Sequence, residues 1–321
     1  MKTVVIQLCG LVLASLLLCT ISIESELLFN ACENDSKVAS YGDHLLFEYT
    51  LSDSQGNIFH ETPVNGQLSH ILLTSDSDIE ESSVSSALVG MCEGSKKKLT
   101  IDTTNTKTVL EPILIPASHD KNDKIIYATV NVRHITTSEE YQIFSALRDK
   151  NLTKSVQLIQ NHTGINVFDE WGQTPLMIAT INNYLFVVSA LFNTVRPPVD
   201  VNMTKNNGFA AIHYAVSLKG TEVLKFLLKR KADPNVAIRE TGSKGNTPLH
   251  LACLLEKPAH AELLLQNGAN PLSINEHGAR PFSMVPRDAV TSVKLKFKKL
   301  FEDAINSGNA QVQMSGGSRM L

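Results

Sequence analysis

Four asparagines of this chain stand in the pattern Asn-x-Ser/Thr, the acceptor for N-linked glycans. They are Asn34, Asn151, Asn161 and Asn202. A chain of this length and average composition would contain roughly two such patterns by chance. A glycan is added only in the secretory pathway and only where the asparagine is exposed. The four residues are therefore candidate glycosylation sites if the chain enters that pathway.

The five cysteines are the other side chains that can form covalent bonds. Cys9 and Cys19 lie in an apolar N-terminal segment, which leaves Cys32, Cys92 and Cys253 for the rest of the chain. One disulfide and one free thiol is the simplest partition of three cysteines. Cys253 lies in an apolar stretch with helical character, where a buried and inert thiol is expected.

The N-terminal segment, residues 1–25, has the features of a secretory signal peptide. Lys2 precedes an apolar run from Val4 to Ile23, and Thr20 and Ser22 supply the small residues of a cleavage site. An uncleaved membrane anchor is the alternative, because the run approaches the length that spans a bilayer. Both readings predict a chain of the secretory pathway, in the endoplasmic reticulum lumen or secreted. A membrane contact is expected only if the segment is uncleaved.

The full length of 321 residues is enough for two domains, and the net charge of −3 gives no sign of a nucleic-acid partner. The first domain, 38–136, has alternating apolar residues and turn residues that predict strands. Its predicted elements are strands 44–51 and 58–60 joined by a turn at 52–57, a strand at 67–73, a helix at 83–89 and a last strand at 124–135.

The segment from Gly90 to Ile101 joins the predicted helix to a strand. Two glycines bracket a Met-Cys-Glu turn, and Leu99 and Ile101 then lie on one strand face. A generic turn with solvated lysines is the alternative reading. The segment resembles the FKBP family of peptidyl-prolyl cis-trans isomerases. The resemblance implies an α+β fold, with one helix packed on an antiparallel half-barrel, and a disulfide between Cys32 and Cys92.

The FKBP resemblance also implies a prolyl pocket that needs no nucleophile, metal or cofactor. Rotation of an X-Pro amide crosses a barrier of about 18–20 kcal/mol, because resonance is lost at the twisted state. An apolar, aromatic-lined cleft lowers that barrier by favouring the less polar twisted amide. The implied pocket residues are Tyr49, Phe59, His60, Val84, Leu114, Ile115 and Ala128.

Several of these pocket positions depart from the family pattern. His60 stands where the family usually has Asp, Val84 replaces the tryptophan of the pocket floor, and Ala128 aligns with a phenylalanine. A buried aromatic ring contributes far more apolar contact than Val or Ala. Weak or lost isomerase activity is therefore expected. Tyr49 and Phe59 are equally expected as plain core residues of a sheet.

A second pattern begins after Ile135 and has a nearly constant period. Glycines at 172, 208, 245 and 278 mark similar segments spaced by 36, 37 and 33 residues. This period resembles that of ankyrin repeats, each a turn and two antiparallel helices. The resemblance implies an all-α solenoid with an N-terminal cap at 138–168, repeats at 169–285, a C-terminal cap at 286–305 and a disordered tail at 306–321.

Thr-Pro pairs at 174–175 and 247–248 are expected to start the first helices of two repeats. Threonine caps a helix, and proline fits its first turn because no backbone donor is lost there. His213 and His250 occupy a position that usually bonds to neighbouring turns, so metal ligation or catalysis by them is not expected.

Two functions are consistent with these patterns. The first is an isomerase or isomerase-like folding assistant of the secretory pathway, which acts on proline-containing polypeptide clients and binds a protein partner on the concave face of its repeats. The second is a non-catalytic interaction scaffold with a decayed isomerase pocket. Neither requires a metal or cofactor, and neither involves nucleic acid.

Overall fold

The computed structural model describes residues 36–62, 68–73, 84–102, 113, 124–161, 165–193 and 198–316, with side chains omitted for the last ten. Its first part is an antiparallel sheet with one short helix. The elements are β1 His44–Ser52, β2 Ile58–Glu61, β3 Ser69–Leu72, α1 Val84–Leu88, β4 Lys96–Asp102 and β5 Ile125–Thr136.

The two long strands, β1 and β5, form the centre of the sheet. The strand order is β2-β1-β5-β4, and β3 also pairs with β1 beyond the end of β2. Thr50 opposes Glu61 in the predicted hairpin, whose turn includes Gly56 at φ 88°. This backbone conformation suits glycine because it has no Cβ. The predicted hairpin and antiparallel sheet are confirmed.

Helix α1 covers one end of the sheet core. Its Val84 and Leu88 are buried among strand residues that include Phe47, Leu51 and Val130. The helix is followed by Gly90 at φ 82°, and the chain then enters β4. This small core is separate from the one in the helical part of the chain.

The helical part consists of antiparallel pairs in a row. Its helices are α2 Ser138–Arg148, α3 Leu152–Asn161, α4 Pro175–Ile181, α5 Leu185–Phe192, α6 Ala211–Ser217, α7 Glu222–Lys229, α8 Pro248–Leu254, α9 Pro258–Gln266 and α10 Thr291–Gly316, with a 3-10 helix at Pro281–Met284. One continuous core joins neighbouring pairs, and it includes Leu176, Ile212 and Leu249 at equivalent positions. No helix in the described part of the chain is long and apolar enough to cross a membrane.

Thr174 shows why the first helices begin where they do. Its side chain accepts a hydrogen bond from the Met177 amide, and Pro175 occupies the first turn of α4. The sequence predicted this start. The C-terminal end differs from the prediction, because α10 continues to Gly316 where a cap ending at 305 and a disordered tail were expected. Phe297 and Phe301 pack into the repeat core, and no proline interrupts the later turns of α10.

Candidate functional site

The predicted prolyl pocket is largely filled core in the described residues. Tyr49, Val84 and Ala128 are 2%, 6% and 0% exposed. All three belong to the sheet core. Ala128 lies opposite Leu51 on β1, so the larger leucine side chain stands beside it on the buried face of the sheet. These three side chains offer a ligand almost no surface.

The remaining pocket candidates lie at the edge of that core or outside the described residues. Phe59 is partly buried and packs against the core, while the His60 ring lies 5.7 Å from the Tyr49 ring, centroid to centroid. Leu114 and Ile115 lie outside the described residues. Phe59 and His60 are therefore the described candidates that a ligand could contact.

Cys92 is disulfide-bonded, whereas Cys253 is a buried free thiol. The predicted partner, Cys32, lies outside the described residues, so that pairing stays a prediction. Val38 forms an isolated antiparallel bridge with Cys92, which brings the chain that follows Cys32 alongside it. Burial raises the pKa of the Cys253 thiol, which keeps it protonated and unreactive.

The sequon asparagines inside the described residues are exposed, and the side chains of two of them make hydrogen bonds. The Asn151 side chain accepts from the Lys154 amide, 3.0 Å away, at the start of α3. The Asn202 side chain accepts from the Asp233 amide at 2.8 Å and donates to the Lys231 carbonyl at 3.4 Å. Asn34 lies outside the described residues. Glycosylation takes place on the side-chain amide nitrogen. In Asn202 that nitrogen already donates to the Lys231 carbonyl, so it is less available than the nitrogen of Asn151, which bonds through its side-chain oxygen.

Four hairpin turns precede the 3-10 helix and the first helices of the repeats, and we call them the fingers. They span 169–173, 205–209, 238–246 and 275–279, and each closes with a backbone hydrogen bond between its first and last residues. Adjacent fingers also bond to each other, as from the Arg239 amide to the Asn207 carbonyl at 2.7 Å. The Glu276 amide likewise donates to the Lys244 carbonyl at 2.9 Å, so backbone hydrogen bonds hold the second, third and fourth fingers in register.

Gly208 shows how closely the fingers approach one another. It has φ +85°, and a Cβ there would lie 2.6 Å from the Arg239 amide nitrogen and 2.7 Å from the Ala237 carbonyl oxygen. Only glycine fits this contact. All four repeat glycines have positive φ, and at Gly208 and Gly245 the backbone of the next finger also leaves no room for a Cβ.

A ladder of asparagine side chains joins successive repeats at their far ends. Asn166, Asn202 and Asn235 each accept from a backbone amide of the next repeat, at 2.9, 2.8 and 2.7 Å. Each also donates to a carbonyl of that repeat. Asn202 and Asn235 end the similar sequence segments Asp-Val-Asn and Asp-Pro-Asn of successive repeats, whereas Asn166 was missed. Asn166 lies 36 residues before Asn202, the same spacing as between the glycines at 172 and 208, so the repeat spacing could have identified it.

His250 connects two fingers, as the sequence predicted. Its Nδ1 accepts from the Thr247 amide at 3.1 Å, so Nε2 carries the proton and donates to the Ala279 carbonyl at 3.1 Å. His213 repeats the first contact, with Nδ1 accepting from the Ala210 amide at 3.0 Å. Burial lowers the pKa of His213 to about 4. Within the described ranges, no group of three or more His, Cys, Asp or Glu side chains is arranged to hold a metal ion.

Comparison with known proteins decides the nature of the repeats. A family model described as ankyrin repeats in three copies matches residues 143–238, and one for a single ankyrin repeat matches 244–276. The chain contains ankyrin repeats. It is also similar to the ANK repeat-containing protein nipk-1 of Caenorhabditis elegans, with 33% identity over 90 residues. The match covers 26% of this chain and 14% of that protein. Ankyrin repeats indicate a protein-binding role.

The sheet is fixed to the start of the ankyrin array by polar and aromatic contacts, which we call the joint. Asp43 accepts from the Ser138 amide at 3.2 Å, and the Thr136 hydroxyl donates to the Phe168 carbonyl at 2.5 Å. The His44 ring stacks on Tyr141 with 3.5 Å between centroids. Since β1, β5, α2 and the first finger all contribute, the joint orients the sheet relative to the array.

Arg148 is the central charge of the joint. Its guanidinium bonds the Asp169 carboxylate at 2.8 Å and the Glu170 carboxylate at 3.0 Å. It also lies over the Trp171 ring, 4.2 Å from the ring centroid. Tyr141 donates to Glu170 as well. The sequence did not single out Arg148, because its partners lie across a loop and no motif marks the set.

Burial affects the titration of the joint. The pKa of Asp169 is raised by desolvation, although Arg148 and the Gln173 amide oppose the shift. Burial lowers the pKa of His44 to about 4, with help from neighbouring His70, and lowers that of His134 to about 4. Both histidines are therefore neutral near pH 7.

Proposed function

We propose that this chain is a protein-binding module whose ankyrin fingers recognise a polypeptide partner while the joint holds the sheet domain beside them. The observation that carries the proposal is the finger edge, in which backbone hydrogen bonds keep the second, third and fourth fingers in register. Asn206, Arg239 and Lys244 are exposed on successive fingers. A backbone that is already ordered loses little further conformational entropy on binding, so this edge is suited to a protein surface.

A charge-reversal comparison tests the finger edge. The partner is first captured from secretory-pathway extract with the full chain and identified, and its affinity is then measured. Arg239→Glu with Lys244→Glu should change the affinity about ten-fold or more. The matched control is Lys225→Glu with Lys229→Glu, which makes the same charge change on exposed positions of α7. Equal affinities for the two double variants would contradict binding by the fingers.

The proposed location is the secretory pathway, in the endoplasmic reticulum lumen or outside the cell. The disulfide at Cys92 supports it, since disulfides persist in oxidising compartments. The exposure of Asn151 also supports it. Expression in secretory cells should give a glycosidase-sensitive product that loses a glycan in Asn151→Gln, with little change in Asn202→Gln. A product with no glycan and with reduced Cys92 would refute the location.

A folding-assistant activity of FKBP type is the second candidate for the sheet domain. The order of its described elements favours it, with a hairpin, a third strand, a short helix and two further strands in the sequence that the resemblance implies. The closed packing of Tyr49, Val84 and Ala128 favours weak activity at most.

A prolyl-isomerisation assay on the full chain tests this candidate. Phe59 lies at the edge of the core and is the described aromatic candidate that can be changed with least disturbance. Phe59→Ala should abolish any acceleration that Phe59→Leu partly retains, because the leucine preserves apolar contact. A rate equal to the uncatalysed rate for the unmodified chain would refute the isomerase function and leave protein binding unaffected.

A further inference from the structure

A cleft lies where the sheet meets the fingers. Its volume is about 330 Å³, within the range of small-ligand pockets. One wall is formed by Leu46, Leu68 and His134 of the sheet domain. The opposite wall is formed by three successive fingers, with Trp171 on the first and Glu240 on the third. The cleft therefore exists only because the joint fixes the two parts side by side.

The apolar side of the cleft contains a large exposed aromatic ring. Trp171 is 48% exposed and lies above Arg148, so one face of its ring is already occupied. Phe168 and Leu68 continue the apolar lining towards the sheet. A pre-positioned ring beside aliphatic surface suits an apolar side chain of an extended polypeptide.

The charged side of the cleft is acidic overall. Its charged lining residues are Glu170, Glu240 and Lys205. Arg148 is committed to the two carboxylates of the first finger. Burial lowers the pKa of Lys205, and the negative charges of Asp169 and Glu240 oppose that shift. The balance leaves one negative charge.

His134 does not offset this charge near neutral pH, because burial lowers its pKa to about 4. Glu240 makes a weak hydrogen bond with Asn207 at 3.4 Å. Its side chain is partly exposed. A cation entering the cleft would therefore find its nearest available carboxylate there.

We propose that this cleft binds an extended polypeptide segment in which a basic residue lies next to an apolar one. The apolar side chain packs on Trp171 and Leu68, and the basic side chain pairs with Glu240. The inference rests on the proposed protein-binding function, for which it names one recognition site and its preferred sequence chemistry.

Trp171 allows the site to be tested directly, because it is the only tryptophan in the chain. The full chain is titrated with the peptides Ser-Gly-Leu-Lys-Gly-Ser and Ser-Gly-Leu-Glu-Gly-Ser while tryptophan emission is recorded. The Leu-Lys peptide should give a saturable shift in emission, and the Leu-Glu peptide should bind about ten-fold more weakly or not at all. Equal binding of the two peptides would overturn the proposal.

A matched pair of variants locates the charge. Glu240→Gln should weaken the Leu-Lys peptide about five-fold, whereas Glu262→Gln, on an exposed position of α9, should leave it unchanged. Unchanged binding in Glu240→Gln would overturn the site. If the Arg239 and Lys244 reversal still alters partner affinity while the cleft tests fail, the protein-binding function stands and the cleft proposal falls.

Discussion

The contact between Arg148 and Asp169 gives the sharpest prediction about the joint. The Asp169 side chain is fully buried and the Arg148 side chain is 29% exposed. Replacing Arg148 by Met keeps much of the aliphatic packing but leaves the Asp169 carboxylate without its cation. Breaking a fully buried pair costs about 3–5 kcal/mol. Since Arg148 is partly solvated, we expect Arg148→Met to lower the free energy of unfolding by about 2 kcal/mol.

A double-mutant cycle isolates the pair from other losses. Asp169→Asn keeps the oxygen that accepts from the Trp171 and Gln173 amides and removes the charge. Once Asp169 is neutral, loss of Arg148 no longer leaves that carboxylate unpaired. The coupling energy between the two changes should therefore be about 1–2 kcal/mol.

Urea unfolding followed by far-ultraviolet circular dichroism measures all four chains of the cycle. Additivity of the two substitutions within about 0.5 kcal/mol would show that they do not interact and would refute this account of the joint. Circular dichroism is the better probe because the Trp171 ring contacts Arg148, so its emission would change for local reasons.

Two further predictions concern the fingers and the titration of the joint. Gly208→Ala should lower the free energy of unfolding by about 2 kcal/mol more than Gly242→Ala does. Both glycines have positive φ, but of the two only Gly208 meets the backbone of the next finger. Equal decreases in the thermal unfolding midpoint of the two variants would contradict this. His44 and His134 have folded pKa values of about 4, so the unfolded chain takes up their protons first as pH falls through about 6.5. Their contribution is complete above that pH and is lost as pH falls towards 4. The full shift would remove about 2 kcal/mol per histidine between pH 7 and pH 5, and because both side chains are partly exposed we expect about 1 kcal/mol. The urea unfolding midpoint should fall less between pH 7 and pH 5 in His134→Gln than in the unmodified chain. An equal fall in the two chains would refute the argument that burial lowers the pKa of His134.

The repeats were predictable from sequence because their signals are local and recur. Each Thr-Pro pair, glycine turn and apolar helix face is repeated at nearly the same spacing, so a single sequence supplies several copies of the evidence. The hairpin of β1 and β2 was predictable for a similar reason, since its turn residues lie between two short apolar runs.

The joint was not predictable from sequence. Arg148 lies on α2, its carboxylate partners lie in the first finger, and His44 lies on β1. These contacts depend on how the sheet sits against the array, which no local pattern specifies. The sequence predicted Tyr49 either as a residue of an open pocket or as a core residue of the sheet. The choice between the two depends on how Tyr49 packs against β5 and His60, which only the structure shows.

Hydrogen–deuterium exchange of the full chain with and without its captured protein partner tests the central claim most directly. The account predicts slower exchange in the fingers at 205–209 and 238–246 when the partner is bound, with α7 and α9 unchanged. Protection confined to the sheet strands, with no change in any finger, would contradict the claim that the ankyrin fingers form the protein-binding surface.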